Sequence, residues 1–539
     1  MTRDNFFGRE NYLALLTKRI NDLKDGYRQN IAIIGDELVG KTSIIFKLLD
    51  SYYDSKIIIL YIETRIESPG SFAKRFIGIL LFNFMVNSGE RLKEDLDFLI
   101  QKSSKYIPRA VEKIKAILEA VEKRKKNYIF IDLFSLPEII YQESGKRCVV
   151  ILDEFLQLES IGIKNLYREW SKLLMVQKNT LYIITSSRKF KTKAILSKNL
   201  SLLFGNFELV TIEPFDIKES CGYLQERLKD ANLNAGLKNF MVHFTGGHPF
   251  YLEIISNAVL QSEQCELADI LEKLLFLSTG ILNQRFSSYL KLFLDAPHGN
   301  DYISIMHQVA NGHNRIKDIA HILHKTQKEL LSKTNHLLEL DVLARSGDFL
   351  KINDRVFGFW LRFVYHEKIH SLTFDSKNQK AIFRDRIESM IQEFLKNSNI
   401  SFKDRLTELL RLFEDDIIQI EKKKLRLSHF REIKPLSFNS QSIKEGLIGR
   451  SRDSLWILAF KNDTWTEEDI TTFSRECKKY RHKLQRKIII SLHDLDANTR
   501  LRALDEKILM WNVDSLNQIL DLFSKPRVIP SFLEQKASL

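Results

Sequence analysis

A chain of 539 residues exceeds what one small fold accommodates, and at about 100–200 residues per domain it should hold several packed units. Its 44% hydrophobic and 11% aromatic content excludes a disordered chain, while 21 Gly and 9 Pro are too few for an all-β protein or a collagen, so helices are expected to dominate. The 82 basic against 69 acidic residues leave a formal net charge of +13, which favours anionic partners such as nucleic acid or acidic lipid. Cys148, Cys221, Cys265 and Cys477 are far apart with no C-x-x-C pair, so free thiols in a reducing compartment are expected. Met1 to Asn5 carry no apolar signal region, and the longest apolar run, 77–86, is too short to cross a bilayer. A cytoplasmic protein without membrane insertion is the expectation.

The most informative segment begins at Asn30. A β-branched run, Ile31-Ala32-Ile33-Ile34, leads into Gly35-Asp36-Glu37-Leu38-Val39-Gly40-Lys41-Thr42 and then Ser43 and an apolar helical pattern from Ile44. This is G-x-x-x-x-G-K-T between a strand and a helix. Gly35 and Gly40 free the backbone to wrap its N–H groups around phosphate oxygens, and the helix start through Ser43 adds its positive dipole end. Lys41 is then placed to reach the β and γ phosphates, and Thr42 to bind Mg²⁺.

Residues 56–62 read as a second strand, and 71–145 as an insertion of helices, with 109–126 strongly amphipathic. Cys148-Val149-Val150-Ile151-Leu152-Asp153-Glu154 is an apolar strand that ends in two carboxylates. Asp153 is the expected Mg²⁺ partner, and Glu154 the base that polarises an attacking water. A further strand, 181–184, ends in Thr185-Ser186-Ser187-Arg188, where Arg188 is the candidate γ-phosphate sensor. The alternative for Arg188 is a surface ion pair. Gly246-Gly247 followed by His248 and Pro249 reads as a loop feeding a helix, with an ordinary helix-to-helix turn as the alternative.

Together these residues resemble the archaeal-type ATPases of the STAND branch of the AAA+ proteins. Phe7-Gly8-Arg9-Glu10 precedes the P-loop, and Leu152-Asp153-Glu154-Phe155, Glu213-Pro214-Phe215 and Thr245-Gly246-Gly247-His248-Pro249 follow in the same order as in that family. The resemblance covers roughly the first 370 residues. It implies that Arg9 lies against the adenine, that Arg188 senses the γ-phosphate, and that His248 and Pro249 belong to a helical lid over the nucleotide.

From Tyr302 the pattern gives a helix over 303–309, a turn at Asn311-Gly312-His313, helices over 316–323 and 326–340, and a wing over 342–352, the spacing of a winged helix. Lys325, Lys328, Lys333, Asn335 and His336 would meet phosphates or base edges if the second of these helices enters a groove. The resemblance supplies the alternative, an intramolecular clamp on bound nucleotide. His366-Glu367-Lys368-Ile369-His370 is a literal H-E-x-x-H, but it lacks a downstream third ligand, and a solvated helix face is the expectation.

After a polar linker at 375–379 and helices reaching about 424, strands at 446–449, 454–460, 487–491 and 508–511 with intervening helices read as a small α/β domain. Its layout resembles restriction-endonuclease-like domains, whose metal site needs an acid on one strand and an acid-x-Lys on the next. Here Ala459-Phe460-Lys461 keeps only the lysine, so a degenerate domain retained for binding or assembly is expected, with displaced acids at Glu445, Asp453 or Asp463 as the alternative. Basic runs at Lys422-Lys423-Lys424-Leu425-Arg426 and Lys478-Lys479-Tyr480-Arg481-His482-Lys483, with Arg486 and Lys487, are candidate phosphate contacts or solvated faces.

The expected fold is therefore α/β: a P-loop NTPase core with an AAA+/STAND-like parallel sheet over 1–215, a helical lid over 216–298, a winged helix over 299–372 and an endonuclease-like α/β domain over 373–539. The expected function is an ATP-binding, slowly hydrolysing switch that uses ATP and Mg²⁺ and acts on or with DNA. A DNA-binding or defence protein regulated by ATP, and a nucleotide-dependent assembly scaffold or homo-oligomer, are the rival readings.

Overall fold

The computed structural model describes residues 6–530 except 88–92, 124–125, 164, 202–205, 263–265, 371–375, 421–422, 441 and 481–482. The expectations for Cys265, Lys422, Arg481 and His482 thus fall outside the described residues, as does the side chain of His370. The chain divides into two compact units, Met1–Pro214 and Phe215–Leu539.

The first unit is built on strands β1 (Asn30–Gly35), β2 (Ile57–Glu63), β3 (Arg147–Asp153), β4 (Thr180–Ser186) and β5 (Phe207–Ile212). They form one five-stranded sheet in the order β2-β3-β4-β1-β5, with every neighbouring pair parallel. Side chains alternate between its faces. Ile31, Ile33, Val149, Ile151, Leu181 and Ile183 pack on one side with the helices Glu10–Lys24 and Lys41–Ser51. Ala32, Val150, Leu152 and Tyr182 face the other, where Phe76, Phe134 and Trp170 form an aromatic cluster. Covering both faces with apolar side chains is what makes a buried parallel sheet stable.

The helical insertion appears as Pro69–Val86, Leu96–Ser103, Pro108–Glu122 and Lys126–Ser144. Register places Glu63 beside Asp153, Leu152 beside Ile184, Ile34 beside Ser186, and Gly35 beside Ile212. All five carboxyl ends therefore share one edge, and the loops that leave them meet there. β5 was not among the expected strands, because its half-exposed alternation at the sheet margin carries little apolar signal.

In the second unit, helices Ile217–Arg227, Ala235–Thr245, Pro249–Leu260, Leu267–Leu275 and Ile281–Leu294 precede Gly299–Ala310, Ile316–Ile322 and Gln327–Glu339. A hairpin of β6 (Leu343–Ser346) and β7 (Phe349–Ile352) follows. Two expectations are corrected. Residues 376–379 are not a linker but the first turn of helix Ser376–Ser398. Residues 417–420 and 423–426 are not helical: β8 (Ile417–Ile420) and β9 (Lys423–Arg426) pair antiparallel, with Ile418 and Leu425 opposite one another and buried. The charges of the second strand hid its period of two.

The β8 strand lies over the turn of the preceding hairpin. Asp348 N donates to Ile417 O at 2.8 Å, Ile417 N donates to Asp348 Oδ2 at 2.7 Å, and a Cβ on Gly347 would stand 2.1 Å from Ile417 O. Phe349 is buried in the same core as Phe413, Trp456 and Leu520. The closing sheet consists of β10 (Glu432–Ser437), β11 (Glu445–Arg450), β12 (Leu455–Lys461), β13 (Leu484–Ser491) and β14 (Leu509–Asn512), antiparallel over its first three strands and parallel over its last three.

A polar network ties this unit together. Asp521 accepts from Arg355 and, at 2.6 Å, from Arg527, and Arg355 reaches His243 at 3.2 Å. These residues come from helices Arg355–Trp360, Val513–Leu522 and Ala235–Thr245 and from the chain beyond them. Burial pushes the Asp521 carboxyl up, but Arg355 and Arg527 outweigh it and hold the carboxyl well below its ordinary value. Because the folded value is the lower one, the stability this group contributes is complete above about pH 4 and declines as the pH falls further. Asp521→Asn leaves two guanidiniums facing a neutral amide. It should cost about 2–3 kcal/mol at neutral pH in urea denaturation and flatten the acid side of the stability curve.

Candidate functional site at the carboxyl edge of the parallel sheet

The loop between β1 and helix Lys41–Ser51 is shaped by two left-handed residues, Leu38 (φ 61°) and Gly40 (φ 103°). Such turns curl the backbone so that successive N–H groups converge, the geometry that holds anions at a helix start. Gly35 is required for a different reason. A Cβ there would meet Ile212 O at 2.5 Å and Val39 Cγ1 at 2.9 Å, because β5 passes close behind.

Lys41 is buried and donates to Gly35 O at 3.1 Å, Asp36 O at 2.9 Å and Ser187 Oγ at 2.8 Å. Burial pushes its ammonium down from the ordinary value, and Glu154, Asp153, Asp36 and Glu37 oppose that shift. Ser43 is half-buried in the first turn of the same helix.

Asp153 closes β3 and is 4% exposed, so each carboxylate oxygen needs a partner. Thr42 Oγ1 donates to Oδ2 at 2.9 Å, Tyr61 OH donates to the same oxygen at 2.8 Å, and Thr185 Oγ1 donates to Oδ1. Burial and then the Asp153 charge push the Tyr61 phenol far up, which keeps it a donor. The backbone of Asp153 is fixed as well: Thr64 N and Thr64 Oγ1 donate to its carbonyl at 2.9 and 2.8 Å.

Glu154 adopts a left-handed backbone (φ 51°), an uncommon conformation for a non-glycine residue that re-aims its side chain. Its carboxylate accepts from Ser187 N at 3.0 Å and from Ser187 Oγ, and lies 3.8 Å from Lys41 Nζ. A cavity of about 490 Å³ opens beside these groups, lined by Thr42, Phe46, Tyr61, Asp153, Glu154 and Gln157 among others.

Lys41, Thr42, Asp153 and Glu154 are thus brought together. Four partners were missed: Tyr61, Thr64, Thr185 and Ser187. Of these, Ser187 stood next to the chosen Arg188 in the sequence. Arg188 caps the following helix, Lys189–Lys198, and its N–H donates to Ser186 Oγ at 3.1 Å. Arg9 is 6% exposed in a left-handed conformation, and its guanidinium donates to Glu213 O at 2.6 Å, just beyond β5.

His248 and Pro249 belong to the second unit. Pro249 begins helix Pro249–Leu260, and the neighbouring Gly247 accepts from Phe215 N at 2.9 Å. A Cβ on Gly247 would stand 2.1 Å from Phe215 O, so this glycine is explained by backbone contact.

Other candidate chemistries find less support. His366 stacks on His307 with ring centroids 3.7 Å apart, and Glu367 is exposed. Lys461 Nζ is 2.5 Å from Asp469 Oδ2, and Ala459 is fully buried. Glu445 pairs with Phe460 at one end of β11 and β12, the end that Asp463 follows, whereas Asp453 lies in the turn at the other end, so the three displaced acids do not gather at one place. Among the described residues no group of three or more His, Cys, Asp or Glu is placed to hold a metal. Lys325 and Lys333 both pair with Asp301, while Lys328, Asn335 and His336 stay exposed. Lys479 pairs with Glu476 at 2.6 Å, and Lys478 is exposed. No helix is long and apolar enough to cross a membrane among the described residues.

No protein-family model matches the chain, and comparison with curated proteins gives no match. Among solved structures, a Walker-type ATPase of Pyrococcus abyssi is similar at 18% identity and a TM-score of 0.45, over 67% of this chain and 97% of that one. The ORC2 protein of Aeropyrum pernix, solved in ADPNP–ADP complexes, is similar at 10% identity and a TM-score of 0.38, over 72% of this chain and 97% of that one. The RuvB Holliday junction branch migration motor of Thermotoga maritima gives 12% identity and a TM-score of 0.31, over 66% and 96%. Likeness at this level leaves the chemistry to be argued from the residues themselves.

The close approach behind the loop gives a direct check on this geometry. Gly35→Ala should lower the stability of the Met1–Pro214 unit by about 1–3 kcal/mol through the clash with β5. An unchanged thermal midpoint would show that β5 does not pass there.

Proposed function

We propose that this chain binds ATP with Mg²⁺ at the carboxyl edge of the parallel sheet and hydrolyses it slowly, using nucleotide state as a switch. The observation that carries the reading is the meeting of Lys41, Thr42, Asp153 and Glu154 around one loop, within the distances given above. The donor set fits the cation. A hydroxyl and a carboxylate 2.9 Å apart are hard oxygen donors, and Mg²⁺ characteristically takes few protein ligands and relies on phosphate and water for the rest. Bound there, Mg²⁺ supplies neutralisation of charge on the β and γ oxygens.

In this reading the backbone between Gly35 and Thr42 holds the phosphates, Lys41 turns its ammonium from the Gly35 and Asp36 carbonyls towards them, and Ser43 extends the helix start. Glu154 serves as the base for water once its carboxylate gives up one of its bonds to Ser187, a step that suits a slow enzyme. Ser187 and Arg188 stand at the tip of β4, where γ-phosphate charge would be sensed. Arg9 would border the base. His248 and Pro249 in the 216–298 lid, and the 299–372 and 373–539 segments as winged helix and endonuclease-like domain, complete the switch.

An anionic partner such as DNA is favoured by the net charge of +13. Among the described residues Lys328, Lys423, Lys424, Lys478 and Lys483 are exposed cations of the candidate segments, whereas Lys325 and Lys333 are committed to Asp301 and the turn of the β6–β7 hairpin is covered by β8.

Lys41→Ala should abolish binding of a fluorescent ATP analogue, whereas Glu154→Gln should retain it and lose turnover about 100-fold or more. Equal affinity in the Lys41 variant would remove the site. For DNA, duplex binding should weaken as salt rises, and Lys478→Glu should flatten that dependence by about one unit of slope. No duplex binding at low salt would refute the DNA reading and leave the nucleotide site standing.

A further inference from the structure

Tyr61 belongs to neither the phosphate-binding loop nor the acid-bearing strand. It lies on β2, where its register partner is Ile151, two residues before Asp153 on the same face of the sheet. From there its hydroxyl reaches Asp153 Oδ2 at 2.8 Å, the oxygen that also accepts from Thr42 at 2.9 Å. Its ring packs against Phe46, with centroids 5.1 Å apart. Phe46 is four residues beyond Thr42 on one helix face, so the same helix that presents the Thr42 hydroxyl also limits where the Tyr61 ring can go.

The proton arithmetic at Asp153 gives this arrangement a consequence. A threonine hydroxyl has one proton and two lone pairs. With its O–H directed at Oδ2, Thr42 Oγ1 turns its lone pairs the other way, the orientation in which it can meet a hard cation. That orientation lasts only while Oδ2 stays where it is. Thr185 fixes Oδ1 from β4, and Tyr61 fixes Oδ2 from β2, so the carboxylate is pinned at both ends by strands on either side of its own. Nothing about packing alone requires a hydroxyl on this ring, because a phenylalanine would cover Phe46 equally well.

We propose that Tyr61 is a positioning residue for the divalent cation: its hydroxyl holds Asp153 Oδ2 so that the Thr42 O–H stays directed at the carboxylate and its lone pairs towards the metal. The proposal deepens the nucleotide reading above and rests on it. In this proposal Tyr61 acts through Asp153, as outer hydrogen-bond partners of metal ligands do elsewhere.

The test uses the full chain and a fluorescent ATP analogue, with affinity measured in EDTA and as a function of Mg²⁺ concentration. Tyr61→Phe removes one oxygen and keeps the ring. The variant should bind the analogue in EDTA as the wild type does and should melt at the same temperature without nucleotide. It should need about tenfold more Mg²⁺ for the half-maximal gain in affinity. Thr185→Val, which frees the other carboxylate oxygen, should shift the Mg²⁺ midpoint in the same direction.

An unshifted midpoint in Tyr61→Phe overturns the proposal. So does a loss of EDTA affinity and melting temperature together with an unmoved midpoint, which would assign the hydroxyl to packing. A wild type whose affinity ignores Mg²⁺ overturns it while sparing the nucleotide site. A wild type that binds no analogue in either condition, like Lys41→Ala, refutes the nucleotide reading first and this proposal with it.

Discussion

The arrangement at the sheet edge depends on one buried carboxylate. Asp153 is almost fully removed from solvent, and a charge in that position is tolerated only when its oxygens are hydrogen-bonded. Its partners come from the loop-bearing helix through Thr42, from β2 through Tyr61 and from β4 through Thr185. Each of these donors reaches it only in the observed register. A slip of one residue in either neighbouring strand would turn that strand's hydroxyl to the opposite face and cost the buried carboxylate one of its donors. The polar cluster therefore fixes the alignment of the strands as much as the apolar faces do, and the same alignment brings Lys41 and Glu154 within 3.8 Å.

In the second unit, charge is spent on internal cohesion. Asp521 joins Arg355 and Arg527, Arg315 makes a two-pronged contact with Asp416 at 2.9 and 2.6 Å, and Asp301 gathers Lys325 and Lys333. The Arg315–Asp416 contact joins 299–352 to a segment that follows it, the Asp301 pairs hold 299–352 together internally, and the Asp521 network ties helix Arg355–Trp360 to helix Val513–Leu522 and the chain beyond it. The net charge of +13 already subtracts the acids, so what a polyanion would meet depends on where the basic residues lie, and Lys325 and Lys333 are held by Asp301. The β6–β7 turn is likewise enclosed, with Gly347 allowing the close approach of Ile417.

Local features were legible in the sequence, and features that arise between strands were not. The strand, glycine loop and helix from Asn30 onward, the acid pair at the end of β3, and the helices and hairpin between 299 and 352 all follow from neighbours a few residues apart. Tyr61 and Thr64 gave no signal, because their importance comes from lying beside Asp153 across a strand pair 92 and 89 residues away. Ser187 carries no charge to set it apart in the sequence from its neighbour Arg188, yet it bonds both Lys41 and Glu154. β5 and β10 were missed because each is an edge strand, half-exposed, and the second carries Pro435, which weakens a strand pattern. The β8–β9 pair was mistaken for helix, its buried Ile418 and Leu425 being outnumbered by exposed charges.

The most direct measurement is a crystal structure of the full chain with a non-hydrolysable ATP analogue and Mg²⁺. The account predicts the triphosphate against the backbone between Gly35 and Thr42, the Lys41 ammonium turned from the Gly35 and Asp36 carbonyls to phosphate oxygens, and Thr42 on the cation with its bond to Asp153 kept. An analogue bound elsewhere, with Lys41 still on those carbonyls, would contradict it.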